Sequence, residues 1–234
     1  MKVEIWSDVV CPWCYIGKRR FESALAEFEH RDDVEVVWRS FQLDPSAPQS
    51  ANTTVSEHLA GKLGISLKQA EAMNAHVSEL AAQEGLDYHL ENAKYSNTFD
   101  AHRLIHLAAK HGLQDVVKER LMKGYFTESA AVGDYETLIK LVSEAGVDAD
   151  EARAVLASDT YANEVRADIQ RARSFGISGV PFFAIDERYG ISGAQPAEGI
   201  REVLEQAWAD AHPLIKISAG GKESGVCEDD SCAV

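Results

Sequence analysis

Polar and apolar side chains take turns along Lys2-Val3-Glu4-Ile5-Trp6, which predicts a half-buried β-strand, because successive strand side chains point to opposite faces. The period then lengthens. Phe21, Leu25 and Phe28 stand four and three residues apart, the spacing that aligns side chains on one face of a helix. Val34-Glu35-Val36-Val37-Trp38-Arg39 is rich in β-branched and aromatic residues and predicts a second strand. Strand, helix and strand at this length form a right-handed unit with parallel strands. The chain leaves the sheet through Phe41-Gln42-Leu43-Asp44-Pro45 and continues as a polar loop to Thr54.

From about Val55 to Phe175 the pattern is helical, interrupted by glycines. Helices are predicted at Ser56–Lys62, Leu67–Glu84, Thr98–His111, Gln114–Glu128, Tyr135–Ala145, Glu151–Leu156 and Tyr161–Phe175. Ser66 with Gln69 has the form of a capping box, and Asn97 and Asp159 are candidate N-caps. After Gly176-Ile177-Ser178-Gly179, the run Val180-Pro181-Phe182-Phe183-Ala184-Ile185 predicts a returning strand. Pro181 at its start, behind a glycine-containing loop, is a candidate cis peptide. Tyr189–Ser192 is its candidate antiparallel partner, with Asp186–Arg188 as the hairpin. A closing amphipathic helix spans Glu198–Ala211, with Ile200, Val203, Leu204 and Trp208 on one face.

These elements predict an α/β sheet domain in two pieces, residues 1–54 and 176–217. An all-helical subdomain, 55–175, is inserted between them. Residues 218–234, rich in Gly, Ser and acids, are expected to form a flexible tail.

The chain has 234 residues and 45% hydrophobic content, enough to bury a full core. Its formal charge of −15 argues against nucleic acid or an anionic membrane surface as partner, since both require basic patches. No apolar run approaches the roughly 18 residues of a membrane span. No charged, apolar and small-residue succession marks a signal peptide before the first strand, so a cytoplasmic location is expected. Structural disulfides are rare in that compartment, and cysteine pairs there lean towards redox chemistry or metal.

The four cysteines fall into two local pairs, Cys11/Cys14 and Cys227/Cys232. Pro12 suits the first position of the helix after β-strand one, where its missing N–H costs nothing. Cys11 therefore belongs at a helix N-terminus, whose unpaired N–H groups and positive dipole end favour a thiolate. A dipole contribution of up to about 2 kcal/mol lowers a thiol from about 8.5 to roughly 7. Cys14 lies on the same face, within reach of a disulfide. Trp13 is expected to line the mouth of the site. Asp8, the nearest acid upstream, either relays a proton for Cys14 or satisfies loop N–H groups. Lys18, Arg19 and Arg20 read as a solvated helix face, with help to a thiolate as the sharper alternative.

Cys11-Pro12-Trp13-Cys14 after the first strand, a helical insertion, and then Gly179-Val180-Pro181-Phe182-Phe183 resemble the thioredoxin superfamily, and the long insertion resembles the DsbA family. More narrowly, four blocks are similar to its FrnE-like branch. They are Ser7–Cys14, Phe41-Gln42-Leu43-Asp44-Pro45, Ser96-Asn97-Thr98-Phe99-Asp100-Ala101-His102-Arg103 and Ser178–Phe183. The resemblance covers roughly residues 1–212. It implies a thioredoxin-like fold with a large helical insertion and a thiol–disulfide oxidoreductase or isomerase acting on protein disulfides or dithiols. A cis Pro181 would pack opposite the cysteines, and the Val180 backbone would pair with an extended substrate. DsbA itself carries a His between its cysteines and a secretory signal, whereas this chain has Trp13 and no such signal.

In the implied cycle Cys11 attacks a disulfide and Cys14 resolves the mixed disulfide. The expected potential lies between those of thioredoxin and DsbA, about −250 to −150 mV. No cofactor or metal is expected, with glutathione as a possible reductant and a thiol reductant or oxidant required for regeneration. Cys227 and Cys232 are candidates for an auxiliary relay or sensor. About 33 Å of extended chain separates Ile217 from Cys227, while Glu228, Asp229 and Asp230 between the thiols should slow their attack.

Two other classes fit parts of the pattern. One is a glutathione-dependent isomerase or transferase of the 2-hydroxychromene-2-carboxylate isomerase or kappa type, relatives that use a Ser near the first cysteine position. The other is a zinc protein using all four cysteines. His102 and His106, one helical turn apart, read as packing or hydrogen-bonding groups, with no third ligand evident.

Overall fold

The computed structural model describes residues 1–49 and 53–213. Its sheet has four strands in the order β2-β1-β3-β4: β1 (Lys2–Ser7), β2 (Glu35–Ser40), β3 (Phe182–Ile185) and β4 (Tyr189–Ser192). β1 runs parallel to β2 with Ile5 beside Trp38, and antiparallel to β3 with Ile5 beside Phe183. β3 and β4 form the hairpin. α1 (Pro12–Glu27) and α9 (Ala197–Ala211) cover one face. There Val3, Ile5, Phe21, Phe28, Phe183, Ile200 and Leu204 share a core.

Among the described residues seven helices lie between β2 and β3 in sequence. They are α2 (Val55–Leu63), α3 (Leu67–Gln83), α4 (Phe99–Lys110), α5 (Gln114–Phe126), α6 (Tyr135–Glu144), α7 (Ala149–Leu156) and α8 (Ala162–Ser174). Their inward faces build a second core around Leu104, Leu121, Met122, Phe126, Leu138 and Val142. Cys11, Cys14, Tyr15 and Ile16 belong to that same core. The start of α1 is thus clamped between sheet and helical block. α8 also closes the sheet's second face, where Trp6, Ala172, Ile177 and Ala184 pack.

That closure corrects the half-buried reading of β1. Glu4 is 1% exposed and Trp6 is fully buried, so both faces are covered. The polar residue in the alternation marks the α8 face and not solvent. Its charge is met by Arg39 from β2 and Arg171 from α8, while the Trp6 indole donates to the Asp168 carbonyl at 3.0 Å.

The Ser66–Gln69 capping box forms, and a second one, Thr54–Glu57, opens α2. Asn97 does not cap α4. Thr98 holds that position, and Asn97 accepts the Phe99 N–H through its side chain at 2.8 Å. Asp159 does not cap α8 either, because Tyr161, at φ 63°, takes the N-cap position.

Candidate active site

The parallel turn from β1 delivers the chain to α1 through Asp8-Val9-Val10, and the peptide groups there fix the first cysteine. Cys11 is the N-cap residue, extended at φ −88° and ψ 113°, with Pro12 at the first helical position. The Cys14 N–H donates to the Cys11 carbonyl at 3.0 Å, closing the first turn with both sulfurs on one side. The Tyr88 hydroxyl donates to the Pro12 carbonyl at 2.8 Å and ties the turn to the helical block. Both cysteines are free thiols. Cys11 is 4% exposed and Cys14 1%, while Trp13 between them is 39% exposed.

The loop before β3 comes up opposite. Its Val180–Pro181 peptide is cis, and the Cys11 thiol donates to the Val180 carbonyl with sulfur and oxygen 3.6 Å apart. Among the described residues no backbone group bonds the Val180 N–H or C=O. α1 can approach this closely because position 17 is glycine. A Cβ there would lie 2.8 Å from the Pro181 ring. Beside Trp13, a cavity of about 290 Å³ opens between the redox turn and α2 and α3, lined by Val10, Pro12, Leu43, Val55, Met73 and Tyr95.

Beneath the thiols lies a buried polar cluster. Asp8 is 1% exposed. One of its oxygens accepts the Leu43 N–H at 2.8 Å, and the other accepts the Nε2–H of His102 at 3.3 Å, the tautomer that leaves a charged carboxylate satisfied. Burial by itself raises the Asp8 pKa, but the His102 hydrogen bond and charge and the Leu43 N–H hold it below the usual carboxylate range. Burial keeps the His102 ring below its ordinary value despite Asp8. Lys118, from α5, is 1% exposed and donates to the Ser7 carbonyl at 3.3 Å. Burial pushes its pKa down to about 8, against the pull of Cys14, Asp8 and Cys11.

The thiols titrate as a pair, and the structure revises which sulfur is acidic. The hydrogen bond with Cys14, followed by burial, pushes Cys11 well up. Burial opposes ionisation of Cys14 too, but the Cys11 thiol, Lys118 and the Ser7 hydroxyl outweigh it and bring Cys14 down. A helix terminus alone predicts an acidic Cys11; it omits the nearly complete burial of that sulfur and the cation on the side of Cys14. The first proton lost therefore belongs to the pair, with its charge leaning towards Cys14.

Lys118 is the residue that sequence reasoning passed over, whereas His102 is the hydrogen-bonding group its reading expected, with Asp8 as the partner. Lys18 is buried instead of solvated, its ammonium met by Glu22, Asp115 and Glu119. Arg19 pairs with Glu22 and Glu119, and Arg20 with Glu84. His102 and His106 diverge: the first serves Asp8, the second Asp168 and Ser40. Among the described residues no group of three His, Cys, Asp or Glu gathers as metal ligands, and no helix is long and apolar enough to cross a membrane. Cys227 and Cys232, the expected auxiliary pair, lie outside the described residues.

The model of the DSBA-like thioredoxin domain matches residues 2–205. The chain belongs to this family. A probable DsbA oxidoreductase from Streptomyces coelicolor is 47% identical, with a TM-score of 0.87 over 100% of this chain and 99% of that one. The uncharacterized protein YwbO of Bacillus subtilis is 26% identical over 213 residues, covering 89% of this chain and 96% of its own. The cytosolic disulfide reductase DsbM of Pseudomonas aeruginosa, solved with GSH, shares the fold at 16% identity and a TM-score of 0.62, over 89% of this chain and 99% of its own. The fold is thus the thioredoxin-like DsbA fold, in a family of thiol–disulfide oxidoreductases.

Proposed function

We propose that this chain catalyses thiol–disulfide exchange on protein disulfides, with Cys11 as the attacking sulfur and Cys14 as the resolving one. The observation that carries the reading is the placement of Cys11. It stands at the N-cap of α1 with its sulfur 3.6 Å from the carbonyl of Val180, beside a backbone edge that no other described peptide group occupies. An extended substrate strand pairing with Val180 brings its disulfide to the more exposed of the two sulfurs. As Cys11 attacks, it gives up its proton to the neighbouring Cys14 thiolate, so the charge moves to the sulfur that forms the new bond. The substrate sulfur leaves as a thiolate and is protonated by water.

Cys14 then attacks Cys11, and the second substrate sulfur departs. A thiol such as glutathione restores the dithiol, and Cys227/Cys232 is a candidate relay in that regeneration. Two sulfurs in one site favour exchange over the glutathione-dependent isomerase or transferase reading, which has work for only one of them. In a reducing cytoplasm the cycle runs as a reductase or isomerase, in keeping with the FrnE-like motifs.

The test is a redox titration of Cys11/Cys14 in glutathione buffers, read by alkylation and mass. The expected result is a single two-electron transition between about −250 and −150 mV. Thiols that alkylate independently at every potential would remove the proposal.

A further inference from the structure

Among the described residues Lys118 is a buried cation with no carboxylate in contact. Its ammonium donates to the Ser7 carbonyl at 3.3 Å and lies 5.6 Å from the centre of the Trp38 ring. Among the described residues no carboxylate oxygen comes within 4.0 Å of it. Lys18 provides the contrast: it is as deeply buried, yet three carboxylates surround its ammonium. An ammonium withdrawn from water with no counter-charge is strongly unfavourable.

Asp8 does not fill that place by direct contact: its two oxygens face His102 and the Leu43 N–H, and its charge reaches Lys118 only at longer range. The other titratable groups around Lys118 are Cys14 and Cys11 at the start of α1 and Lys18 further along it, while His102 reaches the cluster from α4. His102 is neutral and Lys18 repels. Beyond Asp8, the anion left to face Lys118 is that of the dithiol, whose Cys14 pulls on it most strongly. The Ser7 hydroxyl, fully buried at the same strand end, has Cys14 as the group it acts on.

We infer that Lys118, delivered to the redox turn by the helical block, is a positioning residue that holds the negative charge of Cys14 in the reduced pair and during release of substrate. The inference rests on the exchange reading above. In the release step the Cys14 proton leaves to water and the Cys14 thiolate attacks the Cys11 sulfur. The Cys11–substrate bond breaks as the Cys11–Cys14 bond forms, and the departing thiolate takes a proton from water. Two electrons pass from the dithiol to the substrate disulfide over the whole cycle, and Lys118 keeps its own proton throughout. Once the disulfide has formed, no sulfur anion remains to face the ammonium. Lys118 therefore favours the reduced form and raises the potential of the pair. The insertion thereby tunes the chemistry of the sheet domain instead of only shielding it.

The experiment uses the full chain carrying Cys227→Ser and Cys232→Ser, with and without Lys118→Met, and 5,5′-dithiobis(2-nitrobenzoate) as probe. Attack by Cys11 releases one nitrothiobenzoate, and resolution by Cys14 releases the second. Lys118→Met is expected to slow the second release at least tenfold and move its pH midpoint upward, with Lys118→Arg recovering part of the rate. The equilibrium with glutathione should shift about tenfold towards the disulfide, a drop of about 30 mV. A second release and an equilibrium both within twofold of the parent would overturn the inference. Should Lys118→Met fail to fold, Lys118→Gln decides by the same two readouts, and a second release and an equilibrium both within twofold of the parent overturn the inference. A parent that gives no second release would instead remove the exchange reading itself.

Discussion

Gly17→Ala separates the geometry of the site from the stability of the fold. A Cβ at position 17 would stand 2.8 Å from Pro181 Cγ, and 3.5 Å from both Pro181 Cβ and Ala194 Cβ. Carbon atoms in good contact sit about 3.5–4.0 Å apart, so the nearest pair overlaps by about 1 Å. A proline ring is anchored to its own backbone and cannot swing aside, so the Val180–Pro181 segment must retreat. Overpacking of this kind costs about 1–3 kcal/mol, and the better helix propensity of alanine returns about 1 kcal/mol. The net loss in stability should be about 0–2 kcal/mol. The effect on exchange should be larger, because the displaced segment carries the Val180 carbonyl that faces Cys11. A misplacement of about 1 Å costs up to about a hundredfold in rate. Urea unfolding and the initial rate of insulin reduction, measured on one preparation, check both halves. An exchange rate within twofold of the parent would refute the claim that Pro181 and α1 are held in register by this contact.

Acid should weaken the fold in two stages. Burial depresses the folded pKa of His102, so the unfolded chain takes the proton first, and stability present above about pH 6.5 falls as the pH drops through that value. The Asp8 carboxyl is also depressed, and its contribution is lost lower, from about pH 3.9 downward. Urea midpoints at pH 7.5 and 5.5 check the first stage: His102→Gln should flatten the difference, and an unchanged slope would contradict the assignment. Replacing Cys227 and Cys232 with serine should slow steady-state turnover while leaving single-turnover exchange at Cys11 intact; unchanged turnover would remove the relay.

The elements were legible because their periods are clean. Phe21, Leu25 and Phe28 do share the α1 face that meets the sheet, and Ile200 and Leu204 of α9 pack beside them. The position of the redox pair was legible because Pro12 fixes where the helix starts. The burial of Glu4 was not, since alternation along a strand distinguishes two faces without saying what covers each. The acidity of the pair was misread because it depends on a residue more than a hundred positions away. Lys118 shares its helix face with Leu121, Met122 and Tyr125, all buried. A lysine on an apolar stripe was the signal that could have pointed to it.

Trapping with Cys14→Ser tests the division of labour between the two sulfurs most directly. The account predicts that this variant, mixed with a disulfide-bonded protein such as insulin, accumulates a covalent adduct at Cys11 that mass analysis can map. The parent should accumulate none, and Cys11→Ser should form none. An adduct on any other cysteine, or no adduct with the folded variant, would contradict the account.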